Sequence, residues 1–118
     1  MEREEFIAKY KNASTTIDRD FIHKLHTRAD DIGLRFHEQR GHENLIIDME
    51  ELAELAQQVS KILREKQDFY SLIEEMADVQ LILYHLQNLC MIADEELNKA
   101  INVKVQRYEQ NLIKLENS

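Results

Sequence analysis

The stretch MEELAELAQQVSKILREKQDFYSLIEEMADVQ, residues 49–80, contains two apolar stripes of helical period and a group of acids beside each stripe. Apolar residues recur every three or four positions on either side of a polar turn at residues 64–68, which predicts two helices. Because the turn is short, the helices should run antiparallel. The fold depends on this helical pair, which carries the first acidic motif (residues 50–54) and the second (residues 74–78).

The rest of the chain has the composition of a small helical domain. Its 118 residues include no proline, two glycines and one cysteine, and 43% of them are hydrophobic. This length and composition predict a single helical domain over residues 1–118. Cys90 lies in an apolar run, so we expect a core thiol without an internal disulfide, in a cytoplasmic protein.

The charge of the chain restricts its partners. The net charge is −8, which argues against stable binding of nucleic acid. The N-terminal residues are charged and no long apolar run is present, so we expect neither a secretory leader nor contact with a membrane. A small anionic ligand stays compatible with this charge if a metal ion supplies local positive charge.

The periodicity predicts four main helices, preceded by a short helix within residues 1–12. Thr15 is a candidate N-cap of the first main helix and Gly41 is its natural end, while Asp68 and Asp94 are candidate caps of the third and fourth. The residues that form the four apolar stripes are Ile17, Phe21, Leu25, Ala29, Ile32 and Phe36; Leu45, Met49, Leu52, Ala56, Val59 and Leu63; Leu72, Met76, Val79, Ile82, Leu83 and Leu86; and Leu97, Ile101, Val105, Tyr108, Leu112 and Leu115. The sequence thus predicts an all-α four-helix bundle, which we expect to self-associate, at least as a dimer.

The two acidic motifs have the spacing of a shared cation site. Residues three apart share a helix face, so Glu51 pairs with Glu54, and Glu75 pairs with Asp78. The pairs are about equally far from the turn and should lie level with each other. Converging carboxylates repel one another unless their pKa values rise or a cation joins them. Oxygen ligands suit Mg²⁺, Mn²⁺ or Ca²⁺, and Mg²⁺ commonly takes further ligands from substrate phosphates, which indicates metal-assisted hydrolysis of a phosphorylated substrate.

A solvated helix face is the alternative interpretation of these acids, since acids at this spacing commonly pair with nearby Lys or Arg. Here no Lys or Arg occurs within residues 49–59 or within residues 68–98. The absence of neutralising neighbours favours a shared site. Glu50 and Glu74 are expected to be the auxiliary or exposed members of the two acidic doublets.

Glu50-Glu51-x-x-Glu54 followed by Glu75-x-x-Asp78 resembles the EExxE…ExxD signature of the MazG-like, all-α nucleoside triphosphate pyrophosphohydrolases. The apolar settings of both motifs agree with that family. The segment NVKVQRYEQNL, residues 102–112, resembles a downstream segment of the family that carries a Lys and an Arg. The resemblance covers roughly residues 30–112 and implies a four-helix bundle of the MazG-like pyrophosphatase type.

The resemblance implies hydrolysis of a nucleoside triphosphate between its α and β phosphates, giving a monophosphate and pyrophosphate. The implied catalytic and metal-binding residues are Glu51, Glu54, Glu75 and Asp78. They would hold Mg²⁺, with Mn²⁺ as an alternative, and one carboxylate would activate the attacking water directly or through a second metal. Lys104 and Arg107 would neutralise phosphate charge, and the protein would be a homodimer or homotetramer.

The segment at residues 36–44 departs from the family pattern. Many relatives carry a Trp there, followed by a Gln, whereas this chain has no Trp and places Glu43 or Asn44 at the Gln position. We expect this segment to help form the nucleotide pocket, so base preference stays open. Phe36 could contact a base, but it also fits the core stripe, which we favour.

The histidines give weaker signals than the acids. His85 is expected to be structural or to line a pocket. His23 and His26 are three apart and could ligate a metal, but such a lone pair is more typical of surface residues.

Two other functions compete with the hydrolase. One is a non-catalytic helical interaction module whose acidic groove binds a basic partner. The other is a carboxylate-bridged di-iron bundle, which requires Glu-x-x-His motifs on two helices. The chain has no such motif, so the di-iron hypothesis is set aside. Removal of noncanonical nucleotides and control of nucleotide pools both remain compatible with the hydrolase.

Overall fold

A computed structural model describes residues 1–11 and 18–118. Over these ranges the chain forms five α-helices and no strand, which confirms the predicted all-α class. The helices are α1 (Arg3–Tyr10), α2 (Arg19–Arg40), α3 (His42–Leu63), α4 (Phe69–Leu89) and α5 (Asp94–Glu116). Two residues named above, Thr15 and Ile17, lie outside the described ranges. None of the helices described has both the length and the apolarity needed to cross a bilayer.

The helix ends follow local backbone chemistry. The Asp18 carboxylate accepts a hydrogen bond of 2.8 Å from the Phe21 N–H and caps α2. Gly41 ends α2 with φ +60° and ψ −136°, a conformation that essentially only glycine adopts without strain, and α3 follows at once. Asp68 caps α4 by accepting from the backbone N–H of Ser71 at 3.1 Å. The predicted roles of Gly41 and Asp68 are therefore confirmed.

The predicted cap of the last helix is wrong by one residue. Ala93 occupies the N-cap position in an extended conformation, and Asp94 is the first residue of α5. The Asp94 carboxylate instead accepts a hydrogen bond from the Gln87 side-chain amide across the connection. Asp94 still lies in the first turn, where a negative charge is favourable to the helix dipole.

Helices α2, α3 and α4 pack against one another, and their meeting point contains the most buried side chains. Ile82 is 5% exposed, His85 5% and Asn44 6%. Two of these three side chains are polar, which is unusual for the centre of a small bundle. The centre of the bundle is therefore built around a polar pair rather than around apolar packing alone.

The fourth predicted helix forms as α5, but it does not take part in the packing of α2–α4, and all of its residues are exposed. Apolar stripe residues on α3 and α4 are exposed as well: Met49 is 68% exposed, Met76 56% and Leu63 83%. The packed bundle within one chain therefore has three long helices. The apolar stripe of α5 faces solvent because none of the other helices described covers it.

Two residues assigned to the core by sequence are exposed. Cys90 lies at the C-terminal end of α4, where the apolar run continues out of the helix towards α5 instead of into the core. Phe36 is 45% exposed, lines a cavity beside α3, and has the Arg40 guanidinium 4.4 Å from its ring centroid. Both corrections arise because an apolar stripe shows which residues share a face but not what covers that face.

The backbone of Gly41 gives a direct test of the α2–α3 junction. Gly41→Ala should lower the free energy of unfolding by about 1–3 kcal/mol, since a β-carbon disfavours its torsion angles. No atom lies within 4 Å of the position of that β-carbon, so backbone strain alone causes the loss. Urea denaturation followed by circular dichroism measures the change. The exposed control Gln39→Ala should shift the value by less than about 0.5 kcal/mol, and equal effects of the two variants would contradict the prediction.

Candidate metal centre

Three of the predicted carboxylates converge between α3 and α4. Ligand oxygens of Glu51, Glu54 and Glu75 all lie within 4.8 Å of one another. Glu51 and Glu54 are one turn apart on α3, and Glu75 comes from the antiparallel α4. We call these three residues the acidic cluster. Its spacing is that of a group of oxygen ligands around one hard cation.

Asp78, the fourth predicted ligand, lies one turn beyond Glu75 on α4. It is exposed and does not belong to the closest group of three. Its charge nevertheless acts on Glu51 and Glu75, and it lines the same cavity as Glu51. The fold therefore places Asp78 at the edge of the acidic cluster.

The acidic cluster is electrostatically strained. Burial, followed by the charges of Glu54 and Asp78, raises the pKa of Glu51 to about 7. Burial and the charge of Glu54 also raise the pKa of Glu75. The Oε2 atoms of Glu51 and Glu75 are buried and accept no hydrogen bond from the residues described. A bound cation would remove this strain, because positive charge favours the ionised carboxylates.

Glu50 and Glu74, the other members of the acidic doublets, lie elsewhere. Glu50 is exposed on α3. Glu74 forms an ion pair with Lys9, and it accepts a hydrogen bond of 2.8 Å from the Tyr10 hydroxyl. The hydrogen bond from Lys9, together with that from Tyr10, lowers the pKa of Glu74. Glu74 therefore contacts α1, whereas Glu75 belongs to the acidic cluster.

The two predicted phosphate-binding residues lie on α5, which does not take part in the packing of α2, α3 and α4. Lys104 and Arg107 are exposed on α5, and neither lines the cavity beside the acidic cluster. A single chain thus does not bring them together with the carboxylates. Their role in binding phosphate remains a prediction.

A cavity of about 460 Å³ adjoins the acidic cluster between α2, α3 and α4. Glu51 and Asp78 line one part of it, and Asn44, Asp48 and His85 line another. This volume lies within the range of small-molecule pockets. The expectation that His85 is structural or lines a pocket fits its place in the cavity wall.

Sequence reasoning missed Asp48 and both arginines of this cavity, Arg28 and Arg40. A signal for Asp48 was present, because residues 44, 48 and 51 follow one helical face at intervals of four and three. Arg28 and Arg40 could not be found in this way. They reach the cavity from α2, and the packing of α2 against α3 and α4 is a tertiary property.

The histidine pair on α2 does not line the cavity beside the acidic cluster. His23 and His26 line a second cavity of about 300 Å³. The His26 ring stacks on Tyr84 with 3.9 Å between ring centroids. In the part of the chain that the structure describes, no group of three metal ligands includes either histidine. His23 is exposed, as expected of a surface residue, whereas His26 is half-buried against Tyr84.

Comparison of the chain with protein-family models, with curated proteins and with solved structures finds no match. The resemblance of the two acidic motifs to the MazG-like signature therefore stays a prediction from the sequence. The acidic cluster and the cavity are therefore the features that indicate a function.

The raised pKa of Glu51 predicts a pH-dependent cost to stability. The folded-state pKa of about 7 exceeds the ordinary value of 4.5, so the folded chain holds the proton more tightly than the unfolded chain. Stability therefore falls as the pH rises from about 4.5 to 7. Without divalent cations, Glu51→Gln should raise the melting temperature at pH 8 by about 5 °C.

This gain should shrink as the pH is lowered from 7 towards 4.5, because wild-type Glu51 then becomes neutral like the glutamine. Differential scanning fluorimetry from pH 4.5 to 8 measures the trend. Glu50→Gln, at the exposed neighbouring position, is the matched control. A gain that is the same at every pH, or equal to that of Glu50→Gln, would contradict the assignment.

Proposed function

We propose that the chain is a Mg²⁺-dependent nucleoside triphosphate pyrophosphohydrolase, which converts a ribo- or deoxyribonucleoside triphosphate into the monophosphate and pyrophosphate. The observation that carries the proposal is the convergence of Glu51, Glu54 and Glu75 within 4.8 Å at the edge of a 460 Å³ cavity. A cation site that opens into a cavity can bind the phosphates of a ligand whose remainder fills that cavity.

The residues present fit a magnesium ion. All three members of the acidic cluster offer oxygen, two have buried oxygens without a donor, and Asp78 adds a fourth carboxylate at the edge. When bound, Mg²⁺ or Mn²⁺ supplies positive charge that offsets the phosphates and polarises the reacting phosphoryl group. The preference for oxygen ligands distinguishes these ions from metals that select His or Cys.

The side chains of the cavity supply the rest of the chemistry. Hydrolysis needs a group that accepts a proton from the attacking water, and Glu51 and Asp78 are the carboxylates that line the part of the cavity beside the acidic cluster. Arg28 also lines the cavity and can neutralise phosphate charge. The apolar wall between these groups excludes water from the bound nucleotide.

We also propose that the working protein is a homodimer or homotetramer. One chain exposes 9949 Å² of surface, whereas a compact monomer of 14.0 kDa is expected to expose about 6,700 Å². The difference of about 3,200 Å² per chain is enough for an extensive interface between copies. The apolar stripe of α5 is the natural surface for it, and a partner's α5 could bring Lys104 and Arg107 near the acidic cluster.

The enzymatic proposal predicts pyrophosphate release from at least one nucleoside triphosphate in the presence of Mg²⁺. Glu54→Gln and Glu75→Gln should each lower kcat/KM by roughly 10²–10³-fold, the usual loss when one electrostatic element is removed. Glu50→Gln is the matched control and should retain activity. Chromatography of the products separates monophosphate plus pyrophosphate from diphosphate plus phosphate. Failure to hydrolyse any ribo- or deoxyribonucleotide would overturn the proposal and favour the interaction module.

The oligomer proposal predicts a mass in solution of two or four times 14.0 kDa. Replacing Ile101 and Val105 together by Asp should dissociate the oligomer, because two charges would enter its apolar interface. The double variant Asn102→Asp with Gln106→Glu adds the same charge at polar positions of α5 and should leave the mass unchanged. Size-exclusion chromatography with light scattering measures all three proteins. A monomeric wild-type chain would contradict the proposal.

A further inference from the structure

The 460 Å³ cavity has two chemically different ends. Glu51 and Asp78 line the end at the acidic cluster, and Asn44 and His85 line the other. Asn44 and Glu51 are seven residues apart on α3, which corresponds to about 10 Å along the helix. Asp48 lies between them on the same face. A ligand anchored at the acidic cluster would therefore meet Asp48 next, and then the Asn44–His85 pair.

The Asn44–His85 pair leaves one buried hydrogen-bond donor without a partner. The Asn44 amide Nδ2 lies 3.4 Å from His85 Nε2. An amide nitrogen can only donate, so in this orientation Nε2 accepts and the ring proton is on Nδ1. Nδ1 is buried and has no hydrogen-bond partner in the structure described, while the whole residue is 5% exposed. Buried polar groups normally have partners, so this N–H lacks a hydrogen-bond partner that a bound ligand could supply.

Gly33 of α2 lies directly against that donor. A β-carbon at position 33 would lie 2.8 Å from His85 Nδ1, too close for an ordinary contact. Gly33 also lines the cavity. The missing side chain therefore lets Nδ1 lie against a cavity-lining position of α2 that any other residue would block. Glycine inside a helix lowers helix stability, which is consistent with a packing requirement at this position.

The groups between the two ends suit the remainder of a nucleotide. The Oδ2 atom of Asp48 is buried and accepts no hydrogen bond from the described part of the chain. Burial raises the pKa of Asp48, although His85 and His37 act in the opposite direction. A carboxylate here can accept a sugar hydroxyl hydrogen. The Phe36 ring and the aliphatic Ile32 and Leu81 side chains offer apolar surface to a flat base.

We infer that the Asn44–His85 pair reads the base of the nucleotide, with His85 Nδ1–H donating to an acceptor atom on the base edge and Asp48 accepting from the sugar. This inference rests on the proposed function, because it places the triphosphate at the acidic cluster. The order phosphate, sugar and base then matches the order Glu51, Asp48 and Asn44 along α3. His85 is thereby the residue that sets base preference.

Binding without catalysis tests the inference separately from the hydrolase. Free nucleosides and nucleoside monophosphates are titrated into the full chain in EDTA, and the His85 ring nitrogens are followed by ¹⁵N NMR. At least one nucleoside should shift the Nδ1 resonance of His85. A shift without hydrolysis of any triphosphate would support the base site and overturn the proposed hydrolase. No shift with any nucleoside would overturn the base site.

Substitutions at His85 separate hydrogen bonding from shape. His85→Phe removes the donor and should weaken binding of the preferred nucleotide at least about tenfold, while base preference is lost. His85→Asn keeps a donor near the Nδ1 position and should retain part of the preference. Inorganic tripolyphosphate with Mg²⁺ should bind both variants as it binds the wild type. Unchanged base preference in active His85→Phe would overturn the inference and leave the hydrolase standing.

Gly33→Ala provides a second variant that leaves His85 in place. Its β-carbon would cover Nδ1, so base preference should fall as it does in His85→Phe. Arg35→Ala, an exposed change on the same helix, is the control and should keep the wild-type preference. The triphosphate of difluorotoluene nucleoside, a nonpolar shape mimic of thymidine, should bind wild type and Gly33→Ala equally. A wild-type preference retained by Gly33→Ala would contradict access through Gly33.

Discussion

Repulsion between carboxylates held across the α3–α4 contact is the constraint on which the site depends. Helical spacing places Glu51 above Glu54, and the antiparallel partner supplies Glu75 at the same level. The chain could relieve this repulsion by spreading the acids over solvated faces, as it does with Glu50. It instead keeps two buried oxygens without donors, a costly arrangement that a hard cation would turn into a favourable one.

The sequence predicted those features of the fold that depend only on residues close together in the chain. Gly41 and Asp68 end and begin helices through their own backbone and side-chain chemistry, so one sequence was sufficient to place them. Cys90 and Phe36 were assigned wrongly because burial depends on what covers an apolar stripe. The packing of α5 could not be predicted for the same reason, since no other helix in the described ranges covers its apolar stripe.

The acidic cluster was predictable because it depends on helical spacing and on the short connection between two adjacent helices. The residues that line the cavity were harder to predict. Asp48 shares a helical face with Glu51, but Arg28 reaches the site from α2, and only the packed helices bring them together. The pairing of Asn44 with His85 likewise joins residues that are 41 positions apart, a distance over which periodicity carries no information.

The junction between α2 and α3 consists of one residue, Gly41, between two helices of 22 residues each. The φ and ψ angles of Gly41 therefore set the angle between α2 and α3, which form opposite walls of the cavity. A small rotation about the Gly41 backbone displaces the far ends of both helices more than the ends beside Gly41. Since Asn44 lies close to Gly41 and Glu51 lies farther from it, the end of the cavity at Asn44 and His85 would stay nearly constant while the end at Glu51 and Asp78 opens or narrows. Gly41 thus has the position of a hinge between α2 and α3, and it lies close in sequence to Asn44, one of the most buried residues.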